Sequence, residues 1–72
     1  MEGIITIADM HLVYQVTDDL GIDRETIRVD LAKEDPGVVR RGEDGTWEMV
    51  LPLTTPLQAW LPVLRVELER LI

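Results

Sequence analysis

The stretch LGIDRETIRVDL, residues 20–31, decides the fold of this chain, and its pattern fits more than one secondary structure. Asp23 has a side chain of the type that caps the first turn of a helix. Ile27 and Leu31 stand four residues apart, the spacing that places two apolar side chains on one helical face. These signals predict a helix over residues 24–34.

The same stretch also has the pattern of a strand. Ile27, Val29 and Leu31 alternate with charged residues, as in a strand with one buried face. Gly21 precedes either element and suits a tight reversal, because glycine enters the left-handed backbone region without a Cβ clash. We favour the helix and keep the strand as the alternative.

The flanking segments predict a further helix and a β-hairpin. Residues 3–7 are short and β-branched, which suits an edge strand or an extended lead-in. Thr6 and Asp9 have the spacing of a capping box, which predicts a helix over residues 7–20. Two short apolar runs joined by a glycine-containing turn predict a hairpin over residues 38–51.

The last segment predicts a helix over residues 56–72, capped by Thr55. Pro62 lies inside this segment, so the helix either kinks there or begins near Leu61. Leucines recur along it at alternating spacings of four and three residues, which is a heptad seam. We expect one face of this helix to cover the core and the seam to join a second copy of the chain. The residues assigned to this dimer interface are Leu57, Trp60, Leu61, Leu64, Leu68 and Leu71.

The order helix, turn, helix, hairpin is that of a winged helix-turn-helix. Residues 20–31 resemble the helix-turn-helix of DeoR-type repressors, whose pattern is Leu-Gly-Val/Ile-Ser-x-x-Thr-Ile-Arg-Arg-Asp-Leu. The segment GVVRR, residues 37–41, is similar to the GLLRR step with which such proteins enter the wing. The resemblance covers about residues 16–51. It implies an α+β fold, a small winged helix-turn-helix, and DNA binding.

The chain departs from that family in ways that matter. Val29 stands where the family has a second arginine, and Asp23 stands where it has serine. Too few residues precede Gly21 for the usual first helix, so we expect the C-terminal helix to take its place in the core. No segment resembles the family's sugar-phosphate sensor domain. The predicted organisation is one domain over residues 1–72: helix-turn-helix about 7–34, wing about 38–51, and C-terminal helix about 56–72.

Charge is distributed unevenly along the chain. Fourteen acidic and seven basic side chains give a net charge of −7, which disfavours indiscriminate phosphate binding. Most of the cations nevertheless fall within residues 24–41. In a winged helix, arginines of the second helix pair with guanine edges and arginines of the wing contact phosphates. The predicted DNA-binding residues are Arg24, Thr26, Arg28, Lys33, Arg40 and Arg41.

The residue types argue against catalysis and metal binding. The absence of cysteine excludes disulfides and thiolate sites, and a single histidine, His11, argues against a catalytic triad or an imidazole metal site. The adjacent carboxylates Asp18-Asp19 and Glu43-Asp44 are typical of solvated helix ends and turns. We therefore expect no enzyme, no metal and no cofactor. Without a long apolar run, the sequence predicts a soluble, cytoplasmic protein with no membrane partner.

Two functions are consistent with these patterns. The first is a small, homodimeric transcriptional regulator that binds duplex DNA. The alternative is an acidic winged-helix adaptor or inhibitor that binds a protein, such as a polymerase or another nucleic-acid-binding protein, without binding DNA itself. An uninterrupted positive face would favour DNA, whereas neutralisation of the arginines by neighbouring carboxylates would favour a protein partner.

Overall fold

Two helices pack against one face of a three-stranded mixed sheet in the computed structural model, which describes residues 3–72. This architecture confirms the α+β class. The strand order is β1-β3-β2, with β1 parallel and β2 antiparallel to β3. In chain order the elements are α1 (Ile7–Asp19), a 3-10 turn (Arg24–Thr26), β1 (Ile27–Val29), β2 (Val38–Arg41), β3 (Trp47–Val50) and α2 (Leu57–Leu71).

The capping box predicted for α1 is confirmed. The Asp9 amide donates to the Thr6 hydroxyl at 3.1 Å, and the Thr6 amide donates to the Asp9 carboxylate at 2.9 Å. These bonds satisfy two backbone N–H groups that a helix start leaves without partners. The helix ends at Asp19, and Gly21 then reverses the chain with φ of 74°. Both ends of α1 therefore follow from local sequence.

The predicted helix over residues 24–34 is wrong. Asp23 does cap a turn, because its carboxylate accepts a hydrogen bond from the Glu25 amide at 3.0 Å. That turn lasts only through Thr26, and the chain then becomes β1. The segment about 7–34, predicted as a helix-turn-helix, thus contains α1, a 3-10 turn and a strand, and no second helix that could enter a DNA groove.

The strand alternative is right because β3 supplies a partner that the local sequence does not show. Ile27 lies opposite Trp47 and Val29 lies opposite Met49, with both β1 side chains packed against the core and Arg28 exposed. Leu31 is 71 % exposed, so the i,i+4 pair expected of a helix does not form. Backbone hydrogen bonding to β3 and burial of two β-branched side chains outweigh the helix cap.

The predicted hairpin is confirmed, with strands slightly shorter than expected. Val39 lies opposite Met49 and Arg41 lies opposite Trp47. Trp47 and Met49 are buried and belong to the core, while the other face of the sheet, which we call the outer sheet face, points to solvent. Successive side chains of β3 therefore point alternately to the core and to the outer sheet face.

Helix α2 starts one residue later than predicted and runs through Pro62. Its N-cap is Pro56 and no side chain caps it, so the predicted capping role of Thr55 is wrong. The helix packs on α1 and on β2, which agrees with the expectation that it covers the core.

The leucine seam is used inside one chain rather than between two. Leu64 and Leu68 are fully buried, Trp60 is buried, and Leu57, Leu61 and Leu71 pack partly buried against the same core. The predicted dimer interface through this seam therefore has to be corrected. A short chain has few large apolar side chains, and its own core takes those of the seam.

The residues before α1 extend the sheet. Ile4 bridges Ala32 in antiparallel fashion, the Ile5 amide donates to the Leu31 carbonyl at 2.9 Å, and the Lys33 amide donates to the Gly3 carbonyl. This pairing holds Leu31 beside the start of α1. Within residues 3–72, no helix combines the length and the apolar character needed to cross a membrane.

Candidate interaction surfaces

Arg24, the first predicted DNA contact, is engaged by its own chain. Its guanidinium bonds the Asp18 carboxylate through Nη2 at 2.6 Å and Nε at 3.1 Å, and it lies 4.5 Å from the centroid of the Tyr14 ring. The hydrogen bond from Arg24 lowers the pKa of Asp18 below its ordinary value. Arg24 therefore ties the 3-10 turn to the last turn of α1.

Lys33 is likewise committed to an internal contact. Its Nζ lies 3.0 Å from the Asp9 carboxylate, and the two side chains are only 21 % and 15 % exposed. Burial raises the pKa of Asp9. Hydrogen bonds from Thr6 and Lys33 and the charge of Lys33 lower that pKa by more than burial raises it, so the pKa falls below its ordinary value. The pair connects the segment after β1 to the capping box of α1.

Arg28 and Arg40 lie on the outer sheet face with Glu48 between them, because the register aligns all three residues across the sheet. Arg40 Nη2 is 3.6 Å from the Glu48 carboxylate. The row therefore alternates in charge. Arg28 also helps to lower the pKa of Asp44, after the larger effect of hydrogen bonds from Thr46.

The remaining two predicted contacts face elsewhere. Arg41 lies over the Trp47 ring, 4.2 Å from its centroid, on the side of the sheet opposite to Arg40. The Thr26 hydroxyl donates to the Asp23 carbonyl at 2.6 Å and closes the 3-10 turn. The six predicted DNA-binding residues thus occupy separate places rather than one continuous positive face.

Most of the charged side chains that form no ion pair with another described residue are acidic. Five of the seven basic residues are within ion-pair distance of a carboxylate of the same chain. Several carboxylates make no ion pair with another described residue: Asp23, Glu25, Asp30, Glu34, Asp35, Glu43, Asp44 and Glu69. Much of the net charge of −7 is therefore available to an approaching partner.

An apolar groove lies along the first half of α1, and we call it the α1 groove. It has a volume of about 330 Å³, and Ile7 and Leu31 at its rim are 78 % and 71 % exposed. Those are the highest exposures among the large apolar side chains of the described residues. Other lining residues are Ile5, Met10, His11 and Tyr14.

Sequence reasoning did not identify this groove. The predicted helix over residues 24–34 places Leu31 on one apolar face with Ile27, which a helix would turn toward the core. Leu31 would also point inward if β1 continued regularly, but the chain leaves β3 after Asp30 and pairs with the segment before α1. No local signal in the sequence marks that change of partner.

Nothing in the described part of the chain suggests a metal centre. Among residues 3–72, no three His, Asp or Glu side chains cluster in a way that could hold an ion. Asp18 and Asp19 instead form ion pairs with Arg24 and Arg65, at 2.6 Å and 2.7 Å. Asp44 accepts hydrogen bonds from the hydroxyl and the amide of Thr46.

Comparison of the chain with protein-family models, with curated proteins and with solved structures gives no match.

Proposed function

We propose that this chain is a small protein-binding module, an adaptor or inhibitor, that takes an apolar segment of a basic protein partner into the α1 groove. The observation that carries the proposal is the pair Ile7 and Leu31, which remain 78 % and 71 % exposed on either side of an apolar groove. Grouped apolar exposure of this kind marks interaction sites more often than isolated exposed leucines do.

The groove is held in a fixed shape before any partner arrives. The capping box fixes the first turn of α1, and the hydrogen bond from the Ile5 amide to the Leu31 carbonyl fixes the opposite rim. Full burial of an isoleucine or leucine side chain contributes about 1.5–3 kcal/mol. Burial of these two side chains would therefore supply a substantial fraction of the binding free energy of a micromolar complex. Because both are already held in place, this chain would lose little conformational entropy on binding.

Charge favours a basic partner. Asp30 borders Leu31 and makes no ion pair with another described residue, and the chain as a whole carries −7. Exposed carboxylates of this kind steer a cationic partner and speed its encounter, and salt screens the effect. We expect apolar contacts to supply most of the affinity and the carboxylates most of the salt dependence.

The test compares the proteins that three immobilised forms of the chain retain from a host lysate. The first is the wild type, the second is Ile7→Lys with Leu31→Lys, and the third is Leu53→Lys, which changes an exposed apolar side chain outside the groove. We expect a basic protein to bind the wild type and Leu53→Lys and to be lost from the groove variant. Once identified and purified, that protein should bind at least tenfold more weakly to the groove variant.

Equal retention by all three forms would overturn the proposal, as would no retained protein at all. Circular dichroism of each variant controls for folding, and we expect no change because both groove side chains are largely exposed already. Titration at two salt concentrations separates the charge contribution from the apolar one.

A DNA-binding regulator is the second candidate, and one observation favours it. Arg28 and Arg40 both project from the solvent-exposed outer sheet face, and paired strands as well as helices can lie in a DNA groove. The DNA contact would then come from the sheet, in contrast to a winged helix-turn-helix. Glu48 between the two arginines opposes it.

Fluorescence anisotropy with labelled duplexes at about 50 mM salt decides between the candidates. Micromolar binding by the wild type that is lost in Arg28→Ala with Arg40→Ala, and kept in Arg65→Ala, would establish the DNA-binding candidate. Absence of binding with the fold intact would leave the protein-binding proposal alone.

A further inference from the structure

Strand β2 is an edge of the sheet, and only one of its sides has a hydrogen-bonding partner. The Gly42 amide donates to the Thr46 carbonyl at 2.7 Å, which fixes the parity of the ladder to β3. Because antiparallel pairs alternate, the backbone groups of Val38 and Arg40 face β3.

The backbone N–H and C=O groups of Val39 and Arg41 consequently face away from β3. Neither amide donates a hydrogen bond to another described residue on that side. The Asp30 amide, which donates to the Met49 carbonyl at 3.0 Å, supports the same parity because it places Met49's carbonyl toward β1. An open row of donors and acceptors of this kind is a template for another strand.

The arginines that would normally protect such an edge are drawn back over their own sheet. Arg40 reaches toward Glu48 at 3.6 Å, and Arg41 lies over the Trp47 ring at 4.2 Å. Both partners belong to β3, on the inner side of β2. Neither cation therefore projects across the open edge in the manner that discourages strand pairing.

An exposed valine of α2 lies beside this edge, and a second follows it along the helix. Val63 is 48 % exposed and lines a shallow pocket together with Val38 and Val39, so it lies next to β2. Val66 is 62 % exposed and follows three residues later on the same helical face. We call the open side of β2 together with Val63 and Val66 the β2–α2 edge.

We propose that the β2–α2 edge is the interface with a second copy of this chain. The two β2 strands would pair antiparallel about a two-fold axis and join the two three-stranded sheets, while Val63 and Val66 pack against the second copy's α2. Such an interface uses the same surface patch on both chains. It is separate from the α1 groove and from the leucine seam.

The open backbone groups allow two-fold registers centred on Val39, Arg40 or Arg41, and charge favours the first. With Val39 opposite Val39 of the second copy, the two residues exchange both backbone hydrogen bonds, and Arg41 pairs with Gly37. Arg40 then lies opposite Val38. A two-fold register centred on Arg40 or on Arg41 would instead place two like charges directly opposite, which is destabilising.

Charge explains why a copy of so acidic a chain can approach here. Arg40 and Arg70 are each paired with a carboxylate beside the edge, Glu48 and Glu67, so this surface is close to neutral. Strand β2 itself contains no carboxylate, and the unpaired carboxylates nearest to it in sequence, Asp35 and Glu43, lie beyond its two ends. Two chains of −7 repel each other least where each cation balances an acid.

Size requires both parts of the edge. A standard interface takes about 800 Å² from each partner, which is about one sixth of this chain's 4808 Å² surface. A strand of four residues is too small to supply that area alone. The two valines of α2 are therefore needed, and they provide the variants for a test.

Sedimentation equilibrium of the full chain across the micromolar range tests the proposal. We expect the wild type to reach twice the monomer mass and Val63→Lys with Val66→Lys to stay monomeric with unchanged circular dichroism. The matched control is Leu31→Lys, which changes an apolar side chain in the α1 groove that is even more exposed, at 71 %, and should remain dimeric. A monomeric wild type overturns the proposal, as does a dimer that Leu31→Lys dissociates and the α2 variant does not.

Amide hydrogen exchange tests the register in the same samples. The Val39 and Arg41 amides should exchange at least tenfold more slowly in the wild type than in the monomeric α2 variant. The Val38 and Arg40 amides should be protected in both. Equal exchange at Val39 and Arg41 in the two forms would exclude pairing through β2. Neither measurement involves the partner of the α1 groove, so the two proposals can fail separately.

Discussion

Gly37 lies against the indole ring of Trp60 so closely that a Cβ at position 37 would be 2.8 Å from two of the ring carbons. Pro52 approaches the same point, with its Cδ at 2.9 Å. Trp60 is only 6 % exposed and is held in the core by α2. The absence of a side chain at residue 37 thus allows the start of β2 to meet α2.

Replacing Gly37 with alanine should therefore destabilise the fold. We expect Gly37→Ala to lower the free energy of unfolding by about 1–3 kcal/mol, as overpacking of a well-packed contact does. Chemical denaturation measures this. In a Trp60→Leu background, which removes the ring, the added cost of Gly37→Ala should be smaller, and an equal cost in both backgrounds would contradict the steric explanation.

Leu64 and Val66 should respond in opposite ways, because they lie on opposite faces of α2. Leu64 is fully buried, so Leu64→Ala should cost about 2–5 kcal/mol of unfolding free energy. Val66 is 62 % exposed, so Val66→Ala should change it by less than about 0.5 kcal/mol. Denaturation in dilute solution, where chains are apart, gives both values. A small effect at Leu64 would restore the seam as an interface between chains.

Asp35 should make stability sensitive to acid. Its carboxylate accepts hydrogen bonds from the Thr54 hydroxyl at 2.7 Å, the Thr54 amide at 3.2 Å and the Leu53 amide at 2.8 Å, and these bonds lower the pKa of Asp35. Because the folded pKa is below the unfolded one, the stabilisation is present above the unfolded pKa and is lost as pH falls through the folded pKa.

Thermal unfolding of Asp35→Asn against pH measures this effect. The variant should have a lower Tm than the wild type at neutral pH, and the difference should shrink below about pH 4. Glu34→Gln is the matched control, because the Glu34 carboxylate accepts no hydrogen bond from another described side chain or amide. A Tm difference that stays constant down to acid pH would contradict the assignment.

We expect Lys33 to contribute to the stability of the fold rather than to nucleic-acid binding. Its ion pair with Asp9 is well shielded, and Lys33→Met should lower the free energy of unfolding by about 0.5–1 kcal/mol. Arg28→Met is the comparison, since Arg28 has no carboxylate within ion-pair distance among the described residues, and it should have little effect. Equal effects in chemical denaturation would show that the pair contributes nothing.

The candidate sites were harder to foresee than the elements that position them. Residues 24–41 contain most of the basic side chains of the sequence. The carboxylates that pair with them lie outside this segment: Asp18 in α1, Asp9 in the capping box and Glu48 in β3. The α1 groove depends on pairing between the segment before α1 and the segment after β1. Contacts between distant segments have no local pattern that a sequence can display.

The sequence by itself determined what depends on neighbours within a few residues. The capping box of Thr6 and Asp9 starts α1, Gly21 reverses the chain, and the glycine-containing turn joins β2 to β3. Helix α2 likewise follows from its apolar spacing, since it spans Leu57–Leu71 within the predicted range. These features involve hydrogen bonds and backbone angles that are complete within one turn or hairpin.

Only the tertiary structure decided the segment after Asp23. A helix cap contributes about 1 kcal/mol, so it fixes a helix only where nothing else competes. Here β3, about twenty residues further along the chain, offers backbone partners to Ile27–Val29, and the core partly buries two of the three side chains. The same core takes the leucines of α2. A marginally stable chain adopts the arrangement with the most favourable total free energy. Here the larger contributions come from segments distant in sequence, which local sequence patterns do not reveal.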